Sequence, residues 1–417
     1  MKVYAKLKAI RKQKHLTQEY VAQKLGYDPT HIGKMETGKR VISPDVLLRY
    51  KDALGASDVP LTDQEVVDFE SELWSWRDKI NNWLVEAAEE CQPDLERKAE
   101  LSQERDLLIL YKLISISFYR IKNDEESAKR VLKEIARNLS ELSPVNKSRF
   151  LIMRGTDSMH SYRYKAAYED LFEAYIISEK LRTTSFGVLY NLAQCYTIFG
   201  YTYKAVEFIL KARVIAKDTE FILNQTNVLL AINYANMGMF EEAFKTLDTC
   251  VELEEVRHSF KPIIGQIHYA YAYVLMRMGA YDKSLEQCEE AIRQFEYGDR
   301  NYTVTLLLKA KNYFKKNNES LVIDCLDEGI SLSKDDSILQ IEFLAIKYII
   351  NIHEQDSLDF FANTALPIML SDMRYSMIVE YYEIAAKFHK QQENYKIAFE
   401  YMELASKYMK KILESDL

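Results

Sequence analysis

The chain has 417 residues with only 7 prolines and 12 glycines, which favours an almost all-helical protein of two or more units over a single-core domain. Its apolar runs contain charges, as FLAIKYIINI contains Lys347, and its basic start lacks an apolar core, so neither a membrane span nor a signal peptide is predicted. The five cysteines are far apart with no CxxC, which is typical of buried thiols in a reducing cytoplasm and argues against a disulfide framework, a metal site or a cofactor.

Residues 17 to 30 predict two short helices joined by a tight turn. Thr17 can cap the first helix, because its hydroxyl accepts a hydrogen bond from a free N–H of the first turn. Gly26 stands where that helix must stop and reverse, a position that favours positive φ. Asp28 can cap the second helix, and Pro29 suits its first position, where no N–H is needed.

The second helix of this unit has one apolar face and one polar face. Ile32 and Met35 point inward, so the residues between them face outward. An outward face of this kind can enter a DNA major groove, with the N-terminal end of the helix leading. The alternative is a helical hairpin that only caps a larger helical protein. The outward-facing residues are Thr30, His31, Gly33 and Lys34.

Charge is divided sharply along the chain. Residues 1–55 contain twelve Lys and Arg against five Asp and Glu, whereas residues 56–417 contain 43 against 58. A basic head neutralises phosphates and releases counterions, which supplies most of the sequence-independent affinity for DNA. An acidic body is repelled by DNA and should face away from it. The asymmetry favours a DNA-binding head joined to a regulatory body.

A connecting segment follows the head. Residues 56–60 break the helix, and Thr62 and Glu65 form a capping box that starts a new one. The new helix carries apolar residues at three-to-four spacing, and all three tryptophans of the chain lie here. An amphipathic connector packed on the first repeat fits this pattern, and so does a dimer contact or a hinge. The apolar stripe consists of Val66, Phe69, Leu73, Trp76, Ile80 and Trp83, with Trp74 off it.

The rest of the chain repeats itself roughly every 38 residues. In each copy, small residues such as Ala193 and Ala205 let two helices approach closely, and a glycine ends the first helix. An aromatic residue follows shortly after the glycine. These features predict stacked helix pairs with a continuous core and a concave surface lined by the first helix of each pair. The clearest copies have their glycines at Gly200, Gly238 and Gly279.

Placing the repeats in register puts a polar and aromatic set on the concave surface. Asn and Gln amides can bond peptide N–H and C=O groups in any sequence, and tyrosines add apolar contact with a polar tip. We therefore expect this surface to bind an extended peptide. For any single residue the alternative is a solvated side chain or a contact between repeats. The set comprises Tyr190, Asn191, Gln194, Asn227, Gln266, Tyr269, Tyr273, Arg277 and Lys311.

The head and the repeats each resemble a known family. Each repeat resembles the tetratricopeptide repeat, here slightly longer than its usual 34 residues or so. The head resembles the small helix-turn-helix domain of phage repressors and of the XRE family over about 50 residues. That match rests on Thr17-Gln18, Ala22, Gly26, Ile32 and the Glu36-x-Gly38 turn.

The resemblance implies which head residues meet DNA. Gln18 would contact a phosphate at the start of its helix, and Lys39 and Arg40 would meet the DNA backbone. Lys34 can donate to guanine O6 and N7, whereas Pro29 and Gly33 have no side chain that could bond a base. We therefore expect modest specificity, with half-site spacing and DNA shape contributing much of the rest. The residues implied to approach base edges are Thr30, His31 and Lys34.

An XRE-like head joined to a tetratricopeptide body is similar to the RRNPP group of peptide-sensing regulators of Gram-positive bacteria, and in length and repeat number to its NprR-like members. The resemblance implies a cytoplasmic homodimer that binds a double-stranded DNA operator and a short, re-imported signalling peptide, which changes DNA binding. The predicted fold is all-α, with an N-terminal helix-turn-helix domain and a right-handed superhelical solenoid. The predicted divisions are a helix-turn-helix domain at 1–58, linker helices at 59–108 and about eight repeats at 109–417.

Two other classes of function are alternatives to a peptide-responsive regulator. A tetratricopeptide scaffold could bind and sequester a protein partner, such as a response regulator, without binding DNA. An enzyme is not expected, because the sequence contains no GxGxxG, GxxxxGK[ST], HExxH or GxSxG motif and its seven histidines are scattered.

Overall fold

A computed structural model describes most of the chain as helices and turns, without a strand in the described part. The predicted all-α fold is confirmed, and none of the described helices is long and apolar enough to cross a membrane. The chain divides into two compact units, residues 1–153 and 154–417. The described residues are 2–81, 84–122, 124–215, 220–254, 261–334, 336–350 and 360–416.

The first unit contains the basic head and the helices that follow it. The division between the units falls inside its last helix, α9. The helices are α1 (Val3–Gln13), α2 (Gln18–Leu25), α3 (Pro29–Glu36), α4 (Pro44–Ala53), α5 (Asp63–Asn81), α6 (Val85–Leu101), α7 (Arg105–Ile121), α8 (Glu125–Ala136) and α9 (Pro144–His160).

The predicted start and stop signals of α2 and α3 are confirmed. The Thr17 hydroxyl accepts a hydrogen bond from the Tyr20 N–H at 3.1 Å. Gly26 ends α2 in the left-handed region with φ of 73°, which residues with a Cβ rarely adopt. Asp28 caps α3 by accepting from the Thr30 N–H at 2.8 Å, and Pro29 is the first residue of that helix.

The hydrophobic core of the head draws on all four short helices and on the segment after them. Leu7, Ile32 and Tyr50 are fully buried there. So are Val59 and Leu61, which the predicted boundary at residue 58 assigns to the linker. Each such side chain contributes roughly 1.5–3 kcal/mol by its removal from water. The segment after α4 is therefore part of the head's core.

The connector helix α5 packs through its predicted apolar stripe. Phe69, Leu73, Trp76 and Ile80 are all buried in one cluster with residues of α6 and α7. The indole Nε1 of Trp76 donates to the carbonyl of Ala88 at 2.9 Å, which satisfies its buried polar group. The stripe is confirmed for these four residues, while Trp83 lies outside the described residues.

The second unit consists of helices that follow one another as antiparallel pairs. A short π-helical turn, Phe361–Ala365, precedes α20. The helices are α10 (Tyr164–Leu181), α11 (Phe186–Phe199), α12 (Thr202–Ile215), α13 (Glu220–Asn236), α14 (Phe240–Glu254), α15 (Lys261–Met278), α16 (Tyr281–Gln294), α17 (Arg300–Lys315), α18 (Glu319–Leu332), α19 (Ser337–Ile350), α20 (Leu366–Ser371), α21 (Tyr375–Gln391) and α22 (Tyr395–Asp416).

The periodic small residues have the roles expected from the sequence. Ala193 on α11 and Ala205 on α12 are fully buried where the two helices meet. Gly200 ends α11 with φ of 88°, and a Cβ added to it would lie 2.9 Å from the Cβ of Ser376. A side chain at Gly200 would therefore both strain the turn and push against α21.

Candidate DNA-binding face and concave surface

A single buried carboxylate joins the four helices of the head. Glu36, at the end of α3, accepts two hydrogen bonds from Arg11 of α1, at 2.6 and 2.9 Å. Gln18 of α2 donates to it at 2.9 Å, and the Tyr50 hydroxyl of α4 donates at 2.7 Å. This network fixes the orientation of α3, whose outer face is the predicted DNA-binding face.

The network also keeps Glu36 ionised. Burial alone would raise the pKa of Glu36, but hydrogen bonds from Arg11, Tyr50 and Gln18 outweigh it and lower the pKa below its usual value. Burial and the bond to Glu36 raise the pKa of Tyr50, so its hydroxyl remains a donor. The junction is therefore a charge-assisted set of bonds rather than a neutral one.

Part of the positive charge of the head is used inside the first unit. Lys6 is 1% exposed; its ammonium donates to the carbonyl of Leu61 at 2.7 Å and pairs with Glu104 at 2.6 Å. Lys51 pairs with Glu65 at 2.7 Å, and Lys14 and Arg49 bond backbone carbonyls. These cations hold the head together, so the charge available to DNA is that of the remaining, exposed ones.

Three of the residues expected to meet DNA are engaged with other head residues. The Thr30 hydroxyl donates to the capping carboxylate of Asp28 at 2.6 Å. His31 and Arg40 are hydrogen-bonded to each other through His31 Nε2, and the His31 ring stacks on Tyr27 at 5.6 Å between centroids. The structure therefore brings a residue expected at base edges together with one expected at the DNA backbone.

The other three lie at the ends of the same face. Lys34 and Lys39 are exposed, on the last turn of α3 and in the loop after it. Gln18 is half-buried, with its amide nitrogen bonded to Glu36 and its side chain 3.7 Å from a Cβ added at Gly33. The contacts of all six residues with DNA remain predictions.

The predicted concave surface of the second unit includes three polar residues on α11. Tyr190 stacks on Phe186 at 5.3 Å between ring centroids, and burial raises its pKa to about 12, against a smaller effect of Gln194. Asn191 donates to the hydroxyl of Thr156 at 2.9 Å, so its amide is used in a contact between repeats. A contact between repeats is the alternative to peptide binding for single residues of the predicted peptide-binding set.

Similar side-chain bonds connect later repeats. Asn233 of α13 donates to Thr197 of α11 at 2.8 Å, and the Tyr273 hydroxyl of α15 donates to Asn236 at 2.7 Å. Asn227 is buried on α13, and its amide oxygen has no hydrogen-bond partner among the described residues. Gln266 is half-buried on α15. An unpaired buried amide oxygen is uncommon and accepts a donor readily.

Four predicted residues come together on α15 and α17. Tyr269, Tyr273 and Lys311 are mutual electrostatic neighbours, and Arg277 lies one turn beyond Tyr273. Burial raises the pKa of both tyrosines, so their hydroxyls are neutral donors at physiological pH.

Sequence reasoning missed two acids that complete this cluster. Glu342 of α19 and Glu380 of α21 lie 3.7 and 3.6 Å from the Lys311 ammonium. Lys311 lowers the pKa of Glu380 below its usual value, and burial opposes this only in part. Burial alone would lower the pKa of Lys311, but Glu380 and Glu342 raise it. The residues carried no signal in the sequence because the last repeats match the repeat pattern poorly.

A second unexpected cluster joins distant repeats of the second unit. Arg300 of α17 donates to the Tyr164 hydroxyl at 2.8 Å, and the Lys165 N–H donates to Asp372 at 3.1 Å. The guanidinium of Arg374, 7% exposed, lies 4.5 Å from the Tyr164 ring centroid. Repeat arrays normally contact only their neighbours, so this cluster is an additional closure of the second unit.

Comparison with known families identifies the head. Residues 7–60 match the family model described as helix-turn-helix. No curated protein matches the chain by sequence. The match begins within α1, includes α2 to α4 and ends at Pro60.

Solved structures share the fold over most of the chain. A Rap protein complexed with competence and sporulation factor is 18% identical, with a TM-score of 0.71 over 83% of this chain and 99% of its own. NprR in complex with its cognate peptide NprX is 19% identical, with a TM-score of 0.70 over 82% and 99%. The apo form of the quorum sensor NprR from B. thuringiensis is 19% identical, with a TM-score of 0.59 over the same shares. The chain therefore combines a helix-turn-helix head with the helical-repeat fold of Rap and NprR proteins.

Proposed function

We propose that this chain, a helix-turn-helix protein with the fold of the Rap and NprR proteins, is a member of the RRNPP group and acts in the cytoplasm as a peptide-responsive transcription regulator. It binds operator DNA through α3 and a short signalling peptide on the concave surface of the second unit. The observation that carries the proposal is the structure of the head. The hydrogen bonds of the buried Glu36 orient α3, and exposed cations lie at the end of α3 and in the loop after it.

Support for DNA binding comes from the contrast between the internal and the exposed cations. Lys34, Lys39 and Arg40 lie close together at the end of α3 and in the loop after it, and all three are exposed. Lys34 supplies base recognition, and the other two supply phosphate contacts, which fix register without specifying sequence. Residues 56–417 carry 43 Lys and Arg against 58 Asp and Glu, so the excess of positive charge belongs to the head.

Support for peptide binding comes from the concave surface. Its first helices carry amides and tyrosines, among them Asn227 with its unpaired amide oxygen and the Tyr269–Tyr273 cluster beside Lys311. The amides would bond the backbone of a peptide, and the tyrosines would pack against its side chains. Peptide binding shifts DNA binding by its differential affinity for two conformations, typically 5–150-fold.

The last helix supports the proposal that the protein is a homodimer. Exposed apolar side chains follow one stripe of α22 at alternating spacings of four and three residues, interrupted only by Ser406. Contiguous exposed apolar side chains commonly mark a protein–protein contact, so a stripe of this kind favours a covering partner. A second copy of α22 covers it in the proposed dimer. The stripe consists of Tyr395, Phe399, Met402, Met409 and Leu413.

The proposal is tested by a gel shift with the DNA upstream of the gene, with and without the small-peptide fraction of the host's spent medium. We expect a specific complex whose stability changes with the peptide fraction. Lys34→Ala should lose discrimination between this DNA and a scrambled duplex, while peptide binding measured by calorimetry survives. Lys129→Ala, which removes an exposed cation from α8, is the matched control.

Two results would contradict the proposal. Equal loss of DNA and peptide binding in Lys34→Ala would mean that head and body do not have separate roles. Enrichment of one response regulator in a pull-down, without any DNA footprint, would favour the scaffold instead.

A further inference from the structure

Lys311 lies between two carboxylates without a close bond to either. Its ammonium is 3.7 Å from Glu342 Oε2 and 3.6 Å from Glu380 Oε2. Charge-assisted N–H···O bonds are normally about 2.7–2.9 Å long. Lys311 and Glu380 belong to α17 and α21, which are separated along the array by the pair that starts with α19. The interaction therefore links two helices that are not neighbours in the array, and it is longer than an ordinary charge-assisted bond.

The charges around Glu380 do not balance. Three cations, Arg277, Lys311 and Lys315, act on it, and Glu342 shares its sign in the cluster around Lys311. Arg277 and Lys315 are exposed, and the Glu380 side chain is 45% exposed. Glu380 can turn into water at little cost in hydration, because it is already partly hydrated. If it does so, three cations face one carboxylate.

The walls of the cluster are aromatic. Tyr269 and Tyr273 come from α15, and Tyr381, fully surrounded by protein beside Lys311, comes from α21. Their hydroxyls are neutral, since burial raises the pKa of each. The Tyr273 hydroxyl already donates to Asn236, so Tyr269 and Tyr381 are the neutral donors of the cluster. Neutral donors and cations together suit a small planar anion with two acceptor oxygens, which is a carboxylate.

We propose that Lys311, with Arg277 and Lys315, forms a subsite for a carboxylate of the signalling peptide, and that Glu380 occupies this subsite when no peptide is bound. The inference rests on the proposed function, and it specifies a chemical group, a carboxylate, that the peptide must carry. The carboxylate is either the C-terminal group of the peptide or an Asp or Glu side chain, and both offer the same two oxygens to the cations.

Affinity selection from synthetic random short-peptide libraries, followed by mass spectrometry, tests the subsite on the full-length protein. One library has free C-termini and the other has amidated C-termini. Preference for the free library indicates the C-terminal group, whereas enrichment of Asp and Glu in both libraries indicates a side chain. Lys311→Met should reduce retention of carboxylate-bearing peptides at least about tenfold, as the loss of a charged hydrogen bond requires. Lys309→Met is the matched control, because Lys309 lies on the same helix but pairs with Glu289 at 2.6 Å.

Glu380→Gln provides a second test that does not depend on a loss. It removes the internal competitor and one negative charge, so retention of carboxylate-bearing peptides should rise several-fold. Equal retention of acidic, neutral and basic peptides by the wild type would overturn the subsite while leaving peptide binding intact. Unchanged retention by both Lys311→Met and Glu380→Gln would overturn it as well. Failure of the wild type to retain any peptide would instead contradict the proposed function, and the subsite with it.

Discussion

Arg11 and Glu36 form a two-point ion pair between α1 and the end of α3, with distances of 2.6 and 2.9 Å and almost no exposure of Glu36 to water. The pair lies behind the predicted DNA-binding face rather than on it. It therefore affects DNA binding only by holding α3 at a fixed angle to α1, α2 and α4. Removing one partner of such a pair leaves the other as an unpaired buried charge, which is costly.

Glu36→Gln should lower the free energy of unfolding of the first unit by about 3 kcal/mol or more at neutral pH, because it leaves Arg11 unpaired. The folded-state pKa of Glu36 is lowered, so its contribution is complete above the unfolded pKa of about 4.3 and is lost as the pH falls through the folded-state value. The difference between wild type and variant should therefore shrink in acid.

Urea denaturation followed by tryptophan fluorescence measures this effect, because all three tryptophans lie between residues 74 and 83, inside the first unit. Glu19→Gln, which removes an exposed carboxylate from α2, controls for the change in charge. A pH-independent difference would show that the ion pair is not the source of the effect.

Arg40→Ala should weaken binding to specific and scrambled DNA by similar factors and reduce the slope of log K against log salt by about one. The reason is that Arg40 would leave His31 and bind a phosphate when the head meets DNA. Fluorescence anisotropy over a series of salt concentrations measures the slope. Lys129→Ala should leave it unchanged, and a selective loss on the specific duplex alone would assign Arg40 to base recognition.

Phe399→Asp should convert the proposed dimer to a monomer. Phe399 is 63% exposed and belongs to the apolar stripe of α22, where a charge would have to be buried by the second copy. Light scattering after size exclusion measures the mass. Lys407→Glu changes the charged side of the same helix and should leave the mass as in the wild type. A wild-type monomer at micromolar concentration would show that α22 is not a dimer contact.

Arg300→Met should raise hydrogen exchange at two places together, the turn before α10 and the start of α21. Arg300 bonds Tyr164 and Asp336 and lies 4.4 Å from the Tyr162 ring centroid, so its loss opens the closure of the second unit. Hydrogen exchange with mass spectrometry locates the change. Arg293→Met, at an exposed i,i+3 pair on α16, is the control. A rise at only one of the two places would mean that the closure is not cooperative.

Local signals in the sequence were enough to predict the head and the repeat pattern. Thr17, Gly26 and Asp28 act through bonds to residues a few positions away, so their type and spacing carry the information. The same holds for the glycines that end the first helix of the clearest repeats, as Gly200 does. Register then placed Tyr269, Tyr273 and Lys311 on the same surface.

Contacts between distant repeats could not be predicted in this way. Glu380 reaches Lys311, and Asp372 reaches Lys165, only because of the curvature of the helix array, which no single repeat encodes. The repeat period of a sequence specifies which helix pairs are neighbours. It does not specify which helix pairs come into contact when they are several pairs apart in the array. The sequence also could not predict that Asn191 bonds a neighbouring repeat. An amide on the first helix of a pair can bond either a peptide or a residue such as Thr156.

The bond between Lys165 and Asp372 closes a loop of 207 residues. Closing a loop costs entropy that rises only slowly with its length, so a few contacts of this kind are enough to maintain it. Once the loop is closed, the second unit no longer unfolds by fraying from one end, because the loss of the last pair also exposes Tyr164 near its beginning. Thermal unfolding should then be a single sharp transition, and a ligand bound at any one pair would protect the amides of pairs far from it.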